Sequence, residues 1–336
     1  MTAPCGDPHL PPGRLPRRPS VHFWLHGGIK KHVSATNPLV VCHEASGTVH
    51  AIGSAVTTLK PGDEIAIEAG FACHFCIQCK KGRYSLCPRM KFAADPPHTH
   101  GFLSRFVKIP ADCCYKISGV NAPFRADIGL DEAVLIEPMA VAVHSVRQGG
   151  VKPGDKVVVF GAGTVGLLCA AVARQFGAII IVSVDRDEDK LTFAEGWMLP
   201  KRTVVFTTEF ARESSTAEQN ATDLRNFDVA IEATGAEQCI QTALRSLRVG
   251  GSFVQTGLGS GNVNFPMATV LEHELTLKGS FRYGPGDFKL ALEMVMLEKV
   301  NLKPLITKTV PFKNTVEAWE IAKRGEGIKT LIRVGL

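Results

Sequence analysis

DKVVVFGAGTVGLLCAAVARQFG, residues 155–177, is the stretch whose reading decides the fold. Lys156 to Phe160 has the length and β-branched content of a buried strand, and it runs straight into Gly161-Ala162-Gly163-Thr164-Val165-Gly166. Apolar residues then recur at helical spacing from Leu167 until Gly177 stops the pattern. A GxGxxG alone is weak evidence, but between a strand and a helix it is a dinucleotide fingerprint. Gly161 makes the tight turn, Gly163 lets a pyrophosphate approach the positive helix terminus opened by Thr164 and Val165, and Gly166 permits close helix packing. The next apolar strand, IIIVSV (179–184), ends at Asp185. A carboxylate there accepts hydrogen bonds from ribose hydroxyls and repels a 2′-phosphate, so NAD is expected rather than NADP. Arg186 is the competing signal, because a guanidinium can accommodate that phosphate.

Toward the C-terminus the alternation continues through DVAIEATG (228–235), a helix to about Leu247, GGSFVQTGLGS (250–260) and LTLKGSFRYG (275–284). This pattern predicts an α/β fold with a doubly wound parallel sheet. Toward the N-terminus the character differs. LVV (39–41), SGTVHAIG (46–53) and DEIAIEAG (63–70) read as short strands between turns such as Pro61-Gly62-Asp63, so the region to about residue 140 reads as all-β. Within it, FACHFCIQCKKGRYSLC (71–87) spaces Cys73, Cys76, Cys79 and Cys87 as C-x2-C-x2-C-x7-C. Four thiolates so close on a turning backbone, with Gly82 among them, suit a tetrahedral zinc ion. Such a site is closed and holds a loop rather than doing chemistry. Disulfides would need an oxidising compartment, and no apolar signal segment opens the chain.

The composition of the 336 residues, 45% hydrophobic and 21% charged, is that of two domains with substantial cores, and no run approaches a membrane span. A cytoplasmic protein is expected. The net charge of +6 is concentrated in residues 1–31, where Arg14, Arg17, Arg18, Lys30 and Lys31 face Asp7 alone. The remainder carries no basic, aromatic-interleaved patch, which argues against nucleic acid as a partner. MTAPCGDPHLPPGRLPRRPS has neither helical nor strand periodicity, and residues 1–19 are expected to lack order.

Several stretches together resemble the zinc-type medium-chain dehydrogenases, in their polyol branch. They are SVHFWLHGGI (20–29), HEASGTV (43–49), CKKGRYSLC (79–87), VLIEPMAVAVH (134–144), VVVFGAGTVGLLCAAVAR (157–174), LKGSFRYGPGDFKLALEMV (277–295) and GIKTLI (327–332). The resemblance implies a β-rich GroES-like catalytic domain over 20–143 with its zinc lobe at 73–87. A Rossmann domain binding NAD follows over 144–284, and the chain returns to the catalytic domain over 285–336. It further implies NAD-linked oxidation of a small polyol, xylitol to D-xylulose first, with sorbitol and L-arabinitol as alternatives, in a homo-oligomer.

Oxidising a secondary alcohol needs a Lewis acid at the oxygen and a nicotinamide near the carbon. The resemblance assigns the reactive zinc to His43 and Glu44, with Glu137, in what reads as an IEP turn, reaching the zinc, its water or the substrate. Arg282 and Tyr283 are its substrate and nicotinamide contacts, and a forked guanidinium with a phenol can satisfy several hydroxyls at once. Gly257, Leu258, Gly259 and Phe281 fall on the cofactor side, and Lys190 falls where it meets the adenosine ribose. His22 and Phe23 stand near the substrate, Phe23 lacking the hydroxyl usual there.

The chain also departs from the family pattern. Where relatives carry Cys-Gly-Ser-Asp, supplying a zinc thiolate and a proton-relay hydroxyl, this chain has Arg17, Arg18, Pro19 and Ser20, and Cys42 replaces the glycine before His43. An arginine cannot ligate zinc. Three readings stay open: a replaced or misassigned N-terminal segment, a substitute ligand in Cys42 or Cys5, or a cofactor- and zinc-binding protein with little catalysis.

Overall fold

In a computed structural model of the protein, Thr36 and residues 38–95, 99–119, 126–198, 204–207 and 225–335 are described. The expectations placed on Cys5, Arg17, Arg18, Pro19, Ser20, His22 and Phe23 lie outside these residues. The first part of the chain forms short strands: β1 (Ala45–Thr48), β2 (Glu64–Ile67), β3 (Gly70–Phe71), β4 (Lys91–Phe92) and β5 (Cys114–Lys116). β2 lies between β1 and β5 in an antiparallel sheet, and β3 pairs with β4. Residues 39–41, read as a strand from sequence, fall in no assigned strand. Their backbone nonetheless holds the 101–103 segment, with Gly101 N–H donating to Val40 O at 2.6 Å and Leu103 N–H to Val41 O at 3.1 Å. A side chain at Gly101 would collide with this segment, its Cβ falling 2.2 Å from Cys42 O.

The all-β reading ends early, because α1 (Ile136–Gly149) already begins inside it. Glu137 therefore occupies the first turn of a helix, not a loop turn. Ten of the fourteen residues of α1 are buried, and Gly150, at φ 71°, supplies the left-handed residue that ends it.

The parallel sheet follows: β6 (Lys156–Phe160), α2 (Thr164–Gln175), β7 (Ile180–Val184), α3 (Glu188–Trp197), β8 (Val204–Thr207), β9 (Phe227–Glu232), α4 (Glu237–Ser246), β10 (Leu247–Gln255) and β11 (Thr276–Gly279). The strand order is β11-β10-β9-β6-β7-β8, with every neighbouring pair parallel. The order reverses between β6 and β9, which opens a crevice at the carboxyl ends of those strands, where the fingerprint turn lies. Val157 and Val159 point into a core shared with Ile65 and Ile67 of β2, while Val158 and Phe160 pack on the opposite face with Leu244 and Phe253. Burial on both faces is why this strand reads as an unbroken apolar run.

LTLKGSFRYG is a strand only as far as Gly279; Ser280 to Gly284 leave the sheet, and Arg282 takes φ 59°. α5 (Asp287–Met296) packs on α1, and β12 (Ile306–Pro311), α6 (Thr315–Arg324) and β13 (Lys329–Arg333) complete the chain, β12 and β13 pairing in parallel. Among the described residues no helix is long and apolar enough to cross a membrane.

Candidate active site

The four cysteines expected to share an ion do converge. Their sulfurs lie within 4.8 Å of one another, with Cys76 Sγ 3.5 Å from Cys79 Sγ and 3.8 Å from Cys87 Sγ. Four thiolates at about 2.3 Å from a central zinc would stand roughly 3.8 Å apart, so the separations fit a zinc tetrahedron, and all four cysteines are free of disulfides. The local sequence builds this arrangement. Cys76 caps the short helix Ile77–Lys80, its sulfur accepting the Cys79 N–H, and Gly82 at φ 69° turns the chain back toward Cys87. Desolvation disfavours the Cys73 thiolate, but hydrogen bonds from Phe75, Cys76 and the neighbouring thiols outweigh it and draw its pKa down to about 6.

A second cluster joins His43, Glu44 and Glu137, one ligand atom from each lying within 4.8 Å of the others. His43 and Glu44 precede β1, and α1 delivers Glu137 from its buried first turn. Burial, helped by the positive charges of Lys329 and Arg282, lowers the pKa of His43 to about 4, so its ring is neutral with a lone pair free to ligate. Burial pushes Glu137 up to about 8 despite the pull of Arg282, which marks an acid in want of a cation. A neutral imidazole and two carboxylates suit zinc, and three donors leave a coordination position open, as a reactive site requires. Cys42 does not belong to the cluster. Its backbone sits at φ 73°, where glycine is at ease, and burial raises its thiol to about 11.

Two ion pairs at this site were not anticipated. Lys329 on β13 forms an ion pair with Glu44 Oε2, leaving the other carboxylate oxygen for a metal. Arg282 donates to Asp95 Oδ2 at 3.2 Å, with its guanidinium 3.9 Å from the Phe92 ring centroid. Both pairings join distant parts of the chain, so spacing carried no signal of either, although Lys329 lies inside GIKTLI. Tyr283, expected as a substrate contact beside Arg282, has a structural role in the folded chain. The side chain is 1% exposed among Phe92 and Phe288, and its hydroxyl accepts the Ala69 N–H at 3.0 Å, which anchors the loop presenting Arg282.

At the sheet crevice the three fingerprint glycines fill distinct roles. Gly161 turns at φ 107°; a Cβ on Gly166 would lie 1.9 Å from Gly161 O; and a Cβ on Gly163 would meet nothing within 4 Å, so this side of the turn is open to a ligand. Thr164 donates its hydroxyl to Ile328 O at 2.9 Å, which ties the turn to the returning chain, and Val165 packs on the core. Asp185 accepts Ala162 N–H at 2.7 Å and Asp187 N–H at 3.0 Å, one on each oxygen, which holds the turn and leaves a lone pair on each for ribose. Lys190 pairs with Asp187 at 3.3 Å. Gly257 and Gly259 abut Gly235 so closely that a Cβ on Gly259 would fall 1.9 Å from its carbonyl oxygen, while Leu258 and Phe281 are exposed along the same edge.

Comparison with known proteins agrees with this architecture. Residues 21–119 match the alcohol dehydrogenase GroES-like domain and residues 164–296 match the zinc-binding dehydrogenases. The chain is 47% identical over 319 residues to a probable D-xylulose reductase A of Aspergillus clavatus, covering 93% of this chain and 85% of that protein. It is 45% identical over 315 residues to D-xylulose reductase A of Aspergillus oryzae, again with 93% and 85% covered. Among solved structures, L-idonate 5-dehydrogenase of Escherichia coli K-12 superposes with a TM-score of 0.79 at 25% identity, covering 95% of this chain and 90% of that one. With its GroES-like part, its parallel dinucleotide-binding sheet and both donor clusters, the chain belongs to the zinc-binding dehydrogenases of the medium-chain type.

Proposed function

We propose that the protein is an NAD-linked, zinc-dependent polyol dehydrogenase that oxidises xylitol to D-xylulose and runs in reverse when NADH is abundant. The observation that carries this reading is the His43, Glu44 and Glu137 cluster, set beside Arg282 and served by the open fingerprint turn at Gly163. Zinc, when held by these three side chains, supplies Lewis acidity toward a substrate oxygen, and NAD, when bound, takes up the hydride. The protein residues bind and orient. His43 stays neutral because its surroundings are buried and positively charged, and Lys329 holds Glu44 in place. Arg282, stacked on Phe92, offers several N–H donors to adjacent hydroxyls of a polyol. Asp185, with no phosphate to accommodate, favours NAD over NADP.

Xylitol is favoured by the names of the curated relatives, with sorbitol and L-arabinitol as alternatives. The same proposal takes residues 20–143 and 285–336 as the catalytic domain, 144–284 as the NAD-binding domain, and the whole as a cytoplasmic homo-oligomer without nucleic-acid or membrane partners. The test is NAD reduction by purified protein in zinc-containing buffer with each polyol. The highest kcat/KM is expected for xylitol, and no turnover of any polyol would overturn the reading. A second reading is favoured by the absence of any sulfur from the reactive cluster among the described residues. If NADH binds but no polyol reacts, the protein is a cofactor- and zinc-binding protein, and a cysteine and serine placed before Val21 should then restore oxidation.

A further inference from the structure

Arg282 is held by two aromatic rings and a carboxylate. Its guanidinium lies 3.9 Å from the Phe92 ring centroid and 4.6 Å from that of Phe281, and it donates to Asp95 Oδ2 at 3.2 Å. The arginine side chain is 18% exposed and that of Asp95 46%, so the carboxylate caps the guanidinium from the open side. Backbone geometry fixes the meeting from both ends. Arg282 takes φ 59° on leaving β11, and Asp95 sits in a β-bridge with Thr99 just after β4, the strand that carries Phe92. The Phe92 ring on which Arg282 stacks also packs against His43, their ring centroids 5.4 Å apart, which places the ion pair beside the reactive cluster rather than on a remote surface.

A half-buried guanidinium with no partner is a carboxylate receptor, because its planar fork matches two oxygens. A site with Arg282 unpaired would therefore accept sugar acids as readily as neutral polyols. Asp95 opposes that option in two ways: it takes up one arm of the fork through Arg282 Nη2, and it sets a like charge against any anion that enters. A neutral polyol meets neither obstacle, since its hydroxyls can donate to the second oxygen of Asp95 and accept from the remaining guanidinium N–H groups.

We propose that Asp95 is a specificity-determining residue: by pairing with Arg282 and lining the pocket with a carboxylate, it reserves the site for uncharged polyols and excludes aldonates. The inference rests on the polyol-site reading of the His43 cluster, but its test does not depend on turnover. D-Xylonate, a five-carbon aldonate, and xylitol are titrated calorimetrically into zinc-supplemented, NADH-saturated protein, using the parent chain, Asp95→Asn, Asp95→Glu and Asp95→Asn combined with Arg282→Gln. Asp95→Asn should tighten xylonate binding by at least about tenfold, the scale of one charge-assisted pair, with little gain for xylitol. Asp95→Glu should keep the exclusion, and the double variant should lose the gain. Unchanged xylonate affinity in Asp95→Asn would overturn the inference, as would a gain that survives Arg282→Gln, because the anion would then be held elsewhere. Should Asp95→Asn fail to fold, Asp95→Ser at the same exposed position carries the same expectation. If the parent neither binds nor oxidises xylitol, the polyol reading fails separately, while the xylonate comparison still decides the role of Asp95.

Discussion

Two glycines of the fingerprint turn three positions apart, Gly163 and Gly166, should separate cofactor binding from stability. For Gly166→Ala, the new Cβ would stand 1.9 Å from Gly161 O, whereas ordinary contact begins at 3.4 Å, so α2 must retreat by roughly 1.5 Å. The helix cannot do so freely, since Leu167 and Leu168 have no exposed surface. Overpacking of this kind costs about 1–3 kcal/mol, and alanine in place of glycine in a helix returns about 1 kcal/mol. A clash this deep, and with backbone, lies at the top of that range, so a net loss of about 2 kcal/mol lowers Tm by roughly 4–8 °C for a unit of this size. Gly163 differs: its φ of −79° and ψ of −179° suit any residue, and a Cβ there meets no protein atom within 4 Å. Gly163→Ala should therefore leave Tm within about 1 °C, yet weaken NADH by at least about tenfold, roughly 1.4 kcal/mol, because the methyl takes the place of the approaching pyrophosphate. Thermal unfolding without cofactor and titration of NADH fluorescence read the two effects separately. Unimpaired NADH binding by Gly163→Ala would refute the cradle, and a Tm unaltered in Gly166→Ala would refute the packing argument.

Further outcomes follow from the same geometry. Elemental analysis should find close to one zinc per chain that survives dialysis even with the reactive site emptied, and Cys87→Ser should lose it; a zinc-free parent with four titratable thiols would contradict this. Asp185→Ser should narrow the preference for NADH over NADPH, and it should also lower Tm because Ala162 and Asp187 lose an acceptor for their N–H groups; equal affinity for both cofactors in the parent would mean that Arg186 governs the choice. Glu68 is buried, and desolvation raises its pKa above the ordinary 4.5 despite hydrogen bonds from Tyr84 and Tyr115. The unfolded chain therefore ionises first as pH climbs past 4.5, and folded stability drains away until the raised folded pKa is passed. Glu68→Gln removes that dependence, so its Tm relative to the parent should rise between pH 4.5 and pH 7; a constant difference would show that Glu68 titrates normally.

Local patterns carried much of the site because their chemistry is local. In the fingerprint, the turn, the approach and the packing constraint fall within one strand–turn–helix unit: Gly161 and Gly166 stand where the backbone demands glycine, and Gly163 where a ligand must come close. The four cysteines behave likewise, since one short loop brings their sulfurs together. The reactive cluster was less legible. His43 and Glu44 sit side by side, but Glu137 joins them only because α1 aims its first turn at β1, and the resemblance rather than any spacing pointed to it. Tyr283 carries a packing role that the sequence did not signal: a phenol beside a substrate arginine reads as a second substrate contact, and its partner in the folded chain, the Ala69 N–H, lies far away in sequence.

What the sequence determined by itself was therefore whatever short-range sterics and ligand spacing can encode: the parallel sheet, the dinucleotide turn, the closed thiolate site and the β-rich first part. Only the tertiary structure decided which charges meet. Lys329 reaches Glu44 and Asp95 reaches Arg282 across most of the chain's length, and no periodicity can record such pairs, because an ion pair depends on where packed elements place their ends rather than on the residues between them.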